Sequence, residues 1–275
     1  MATLGDWLID RGWRGRLVRW GLLKPASTER DDHQLLPVEV PFPPWDDGRT
    51  MVVLTAGQSN AANAGTDPMG PVPGVFNLYR GRLYQARDPL LGASGNGGSV
   101  WMRFSREVLA SGLFERVILV PVAIGGTRIA HWAPGGELAW RIPDAIGRVH
   151  ALGLDITHVI WHQGESDTQY GTSRRAYAQA LRSVVRRIRA CGVPAPIMVC
   201  LAAQMRDLSG PQIIAAQKDV IASEPGLIAG PDTDELCGGD YRSDRLHFNA
   251  KGFESFARGL FLALPEMLAR SRSEG

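Results

Sequence analysis

Residues 51–60 read Met51-Val52-Val53-Leu54-Thr55-Ala56-Gly57-Gln58-Ser59-Asn60, an apolar run rich in β-branched residues that stops at a glycine and turns over a serine. The run is too short for a globular helix, and it does not alternate with polar residues as a half-exposed strand would. It therefore predicts a strand buried on both faces. Runs of the same kind recur at 116–124, 156–162, 196–202 and 227–230, separated by helical patterns at 101–111, 137–152, 173–191 and 211–223, with a last helix over 250–270. Five nearly continuous apolar strands with helices between them imply an α/β fold of three layers, a parallel sheet covered on both faces. One interval breaks the rhythm: between Asn60 and Val100 no helix is predicted, but 75–79 and 82–86 flank Arg80-Gly81 as a hairpin. Coming directly after the first strand, it is expected at the C-terminal rim of the sheet, where open α/β sheets bind ligands.

The remaining sequence limits what such a domain can be. The 275 residues suffice for one large domain, and 44% hydrophobic content supplies its core. Thirty Lys and Arg against 28 Asp and Glu leave a formal charge of +2, which does not point to a groove for nucleic acid, although a pI near 8.5 does not exclude one. Cys191, Cys200 and Cys237 are odd in number and lack metal or disulfide spacing. Residues 6–23 read as a basic amphipathic helix carrying Trp7, Trp13 and Trp20; it is expected to pack on its own domain, with contact to a membrane surface as the alternative. Four prolines at 37, 41, 43 and 44 make 37–45 an extended connector, so residues 1–48 form an N-terminal arm, 49–270 the domain and 271–275 a frayed tail. No apolar run reaches the roughly 18 residues of a membrane span, and no continuous apolar signal opens the chain. A cytoplasmic location is the default expectation; a periplasmic or secreted one stays open, because a chain can begin after a cleaved signal.

Four loops that leave strand ends carry chemistry. Gly57-Gln58-Ser59-Asn60 puts a hydroxyl at the apex of a tight turn, as an activated nucleophile needs, or else supplies a helix cap. Asp244-Arg245-Leu246-His247 offers an imidazole that could take the serine proton and a carboxylate three residues earlier to hold its tautomer. Taken alone this pair could also be a metal-ligand pair or a solvated turn, but no other cluster completes a metal site. Gly125-Gly126-Thr127 and His162-Gln163-Gly164-Glu165-Ser166-Asp167 could each present donors to an oxyanion.

These four blocks, in this order, resemble those of SGNH/GDSL hydrolases, and more narrowly the branch holding sialate O-acetylesterases and the acetylxylan esterases of carbohydrate esterase family 6. The resemblance covers residues 51–264. It implies a flavodoxin-like sheet of order 2-1-3-4-5 and a serine esterase that removes acetyl groups from carbohydrates without a cofactor or metal. Carried over by motif position, Ser59 is the nucleophile, His247 the general base and acid, and Asp244 its orienting partner. The oxyanion donors become the N–H groups of Ser59 and Gly125 and the side chain of Gln163. The third block departs from the usual Gly-x-Asn-Asp, and Gln163 is preferred there because its amide is an obligate donor. Glu165 is a possible second acid for His247, a salt-bridge partner that fixes its loop, or a surface residue, and His158 and His162 are expected to be structural.

Substrate contacts are expected from Asn60, Trp101 and Trp132, with Tyr79 also near the rim, since aromatic faces can pack on sugar C–H groups. The expected partner is an acetylated carbohydrate or a small acetyl ester; oligomeric state has no signature in the sequence. Two rivals remain: a non-catalytic carbohydrate-binding protein on the same fold, and a short-chain lipase or thioesterase-like hydrolase.

Overall fold

The structure, a computed structural model, describes residues 38–42 and 48–273, with side chains to 270. The amphipathic helix expected over 6–23 lies outside the described residues.

The seven strands are β1 (Thr50–Gly57), β2 (Val75–Tyr79), β3 (Arg82–Gln85), β4 (Arg116–Pro121), β5 (His158–His162), β6 (Ile197–Leu201) and β7 (Leu227–Asp232). They form one sheet of order β3-β2-β4-β1-β5-β6-β7. The five strands expected from the apolar runs are β4, β1, β5, β6 and β7, all parallel and in the 2-1-3-4-5 order. The expectation of a five-stranded sheet is corrected by the hairpin. It does not cap the rim; β2 pairs parallel with β4 through Val75↔Val117, and β3 closes the edge antiparallel, making a mixed sheet of seven. The reason is that β2 carries its own buried apolar positions, Val75 and Leu78, which need the cover that the sheet edge provides. Residues 38–40 then run along β3, where Val40 N–H donates to Leu83 O at 2.9 Å and Gln85 N–H to Val38 O at 2.8 Å. The edge backbone is thereby paired rather than bare.

Alternation along β1 explains the layers. Val52, Leu54 and Ala56 enter one core with Ile142, Leu181, Val185 and Ile213; Met51 and Val53 enter the other with Trp101, Phe104, Phe253, Phe256 and Leu260. The first core is covered by α3 (Arg141–His150), α5 (Arg174–Ala190) and α6 (Pro211–Ser223), the second by α1 (Val100–Ala110) and α7 (Ala250–Ser273). On α5 the buried Tyr177, Leu181, Val184, Val185 and Ile188 recur at helical spacing, and Ser173 caps its start by accepting Ala176 N–H. Two short helices, α2 (Ile129–Trp132) and α4 (Glu165–Gln169), leave the ends of β4 and β5. The tail expected to fray from Ser271 continues α7 as far as Ser273. No helix among the described residues is long and apolar enough to cross a membrane.

Candidate active site

The site begins where β1 and β5 end together. Gly57 has φ of 138°, and a β-carbon there would fall 1.9 Å from His162 O, so only glycine lets the two chains close. Gln58 N–H then donates to His162 O at 3.1 Å, and Ser59–Ala61 form a single 3₁₀ turn held by Ala61 N–H to Gln58 O and Ala62 N–H to Ser59 O. Ser59 is 7% exposed. Among the described residues nothing accepts its N–H and nothing bonds its Oγ.

Asn60, expected to meet substrate, is buried instead. Its Nδ2 donates to Glu165 Oε1 at 2.9 Å and to Leu246 O at 3.2 Å. That one amide ties the serine turn to the third block and to the residue preceding His247. The turn carrying His247 is closed by Ser243 N–H to His247 O and by pairing of Arg242 with Phe248. Arg245 adopts φ of 67° within it and pairs with Asp207 at 2.7 Å. Beneath, the buried Arg242 guanidinium donates to the carbonyls of Leu236, Thr233 and Leu246 and lies over the Phe248 ring.

Asp244 accepts the N–H groups of Leu246 and His247 at Oδ1, and its Oδ2 is 2.7 Å from His247 Nδ1. Partial burial pushes the Asp244 carboxyl up, but the hydrogen bonds and charge of His247 and the Leu246 N–H outweigh it and hold the carboxyl below its usual range. An ionised Asp244 receives Nδ1–H and leaves the lone pair on Nε2. Ser59 Oγ and His247 are not joined by a hydrogen bond in this structure; what joins their two turns is Asn60.

Gly125 lies beside the serine. A β-carbon placed on it would be 3.4 Å from Ser59 Cβ and 3.5 Å from Ser94 Oγ. Its N–H donates to Ser94 Oγ at 2.7 Å. Gly126, at φ of 71°, faces open space.

Gln163 requires a correction. It is fully buried, and its Nε2 donates to Thr127 O at 3.0 Å, Asp167 Oδ2 at 2.6 Å and Gln58 Oε1 at 3.2 Å, while its Oε1 accepts from Tyr177 at 3.0 Å. The amide stitches three loops together under the site and has no proton to offer a substrate. The tryptophans are corrected too. Trp101 is enclosed in the core with Nε1 bonded to Ala61 O, and Trp132 packs edge-on against Trp161. Each is buried in a core layer, Trp101 on one face of the sheet and Trp132 on the other. Glu165 bonds Asn60 rather than His247, and burial raises its carboxyl above the ordinary range despite that bond. His158 and His162 are buried, and desolvation lowers them to about 4 and about 3.

Residues 49–264 match the carbohydrate esterase, sialic acid-specific acetylesterase family. The chain belongs to that family. A probable carbohydrate esterase of Arabidopsis thaliana is 32% identical over 71 residues, which is 26% of this chain and 27% of that relative. The aligned stretch thus spans about a quarter of the curated relative's length. In fold, this sialic acid-specific acetylesterase family member is similar to an Arabidopsis thaliana protein with a TM-score of 0.65 at 21% identity, over 80% of this chain and 99% of the other. It is also similar to a carbohydrate acetylesterase of Xanthomonas citri, with a TM-score of 0.53 at 17% identity, over 79% of this chain and 56% of that one. The architecture is that of SGNH/GDSL hydrolases.

Sequence reasoning passed over Ser94. The signal was faint: it sits in Gly92-Ala93-Ser94-Gly95-Asn96-Gly97-Gly98-Ser99, whose glycines mark close backbone approaches without saying to what.

Proposed function

We propose that this protein is a serine esterase that removes O-acetyl groups from carbohydrates through an acetyl-enzyme. The observation that carries the reading is the His247–Asp244 pair, with Nε2 left as a base and its turn tied by Asn60 to the Ser59 turn. In the first half-reaction Ser59 Oγ attacks the acetyl carbonyl carbon, its proton passes to His247 Nε2, and the carbonyl π pair moves onto oxygen. Collapse expels the sugar alkoxide, which takes the proton from Nε2. In the second half a water gives one proton to Nε2 as its oxygen attacks the acetyl-enzyme; on collapse Ser59 leaves with that proton, and acetic acid departs and gives the water's other proton to solvent as it ionises to acetate. Asp244 stays ionised throughout and favours the imidazolium. Family membership supports the carbohydrate acetyl ester as substrate.

The test is acetate release from a panel of acetylated sugars and from nitrophenyl acetate, with Ser59→Ala as the control. Turnover by the natural chain, none by Ser59→Ala, and a drop of about 10³- to 10⁴-fold in kcat for Asp244→Asn are expected. Preference for nitrophenyl octanoate would replace acetylesterase with a lipase-like reading. Failure on every ester by a folded protein would leave the carbohydrate-binding reading.

A further inference from the structure

Resting on the esterase reading, we infer that the Ser94 hydroxyl is an oxyanion donor. The third block cannot fill this role with Gln163, whose amide is spent on Thr127, Asp167 and Gln58. Ser94 stands where a donor is needed. Its Oγ and Ser59 Cβ lie within 3.5 Å and 3.4 Å of one point, the place a Gly125 β-carbon would occupy. A serine hydroxyl has one proton and two lone pairs. One lone pair accepts the Gly125 N–H at 2.7 Å, and among the described residues nothing accepts the proton. Gly125 N–H thus acts through Ser94: by donating to Oγ it polarises the O–H and makes it a stronger donor.

Ser94 is also held still. Its N–H donates to Ala123 O at 3.0 Å, in the chain leaving β4, and its carbonyl accepts Asn63 N–H at 2.9 Å, in the chain leaving the Ser59 turn. The Ser94 backbone is therefore pinned from both loops, and its Oγ by Gly125 N–H, as a preorganised donor must be. When Ser59 Oγ bonds to the acetyl carbon and the π pair moves to oxygen, that oxygen accepts the Ser94 O–H and the Ser59 N–H. No proton is transferred, and the bonds lengthen again when the carbonyl re-forms.

The experiment measures kcat and KM for nitrophenyl acetate with the full chain, Ser94→Ala, Ser94→Thr and Ser94→Cys, with Ser59→Ala as control and urea midpoints alongside. Ser94→Ala should lower kcat about a hundredfold with KM and the urea midpoint little changed. Ser94→Thr, which restores a hydroxyl, should recover most of the loss, a result that a packing role would not produce. If Ser94→Ala unfolds, Ser94→Cys keeps the volume with a weak donor and should still show the kcat loss. Natural-level or raised kcat in a folded Ser94→Ala, with Ser59→Ala dead, overturns the donor role and leaves the esterase reading intact. Equal inactivity of the natural chain and Ser59→Ala ends both.

Discussion

At the scale of single residues, the lesson is that a side chain's type states what it can do and its surroundings decide whether it does it. Asp244 and His247 were legible as a pair because they stand three positions apart on one turn, so local sequence contains the geometry. Gln163, Asn60, Trp101 and Trp132 were misjudged because their partners are long-range: Gln163 meets Thr127 and Gln58, Asn60 meets Leu246, and no spacing records that. Ser94 escaped notice for the same reason. Gln163→Ala should accordingly behave as a stability variant. It strips a buried carboxylate, Asp167, of one of its three donors and leaves Thr127 O unpaired, at a cost of about 1–3 kcal/mol for each unsatisfied group. Urea unfolding should show the loss, and a folded, fully stable variant with a hundredfold lower kcat would return the amide to the reaction.

At the scale of elements, the five parallel strands and their helices were readable because each is a self-contained run with its own period. The hairpin's turn was readable too, but not its place in the sheet, which depends on register with residues some forty positions later, Val75 against Val117. Helix α7 illustrates an element that works against its own propensity. Pro265 sits inside it and is exposed, so it withholds a backbone N–H without filling any core position. Its neighbours on the buried face, Leu264 and Met267, hold the helix against the sheet despite this. Pro265→Ala should restore the missing hydrogen bond and raise stability by about 1–3 kcal/mol, read as an increased urea midpoint with unchanged kcat. An unchanged or lower midpoint would mean that the bend itself is needed for docking.

At the scale of the whole molecule, two buried imidazoles work against stability on the acid side. His158 and His162 are held at about 4 and about 3 against an ordinary 6.5, by desolvation first and, for His162, by the nearby Arg242 charge. The unfolded chain therefore binds protons on them below about 6.5 while the folded chain does not, so their contribution is present above that pH and lost as pH falls toward 4 and 3. The buried carboxyls of Asp88, Glu165, Asp167 and Asp234, all raised by burial, act in the opposite sense, because the folded chain holds their protons to higher pH than the unfolded chain does. Comparing slopes isolates one group: between pH 6 and 4.5, lowering the pH should change the stability of the natural chain, relative to that of His158→Phe, unfavourably by up to about 1.4 kcal/mol per pH unit. Parallel slopes would refute the assignment. The central position of β1 has a further consequence during synthesis on the ribosome. Its partner β5 emerges about a hundred residues later, as the separation of 105 between Val52 and Thr157 records. At roughly 5–20 residues per second, β1 waits about 5–20 s for that neighbour. The imidazole of His247 follows later still, so on the esterase reading proposed above the newborn chain holds its nucleophile long before its base is made.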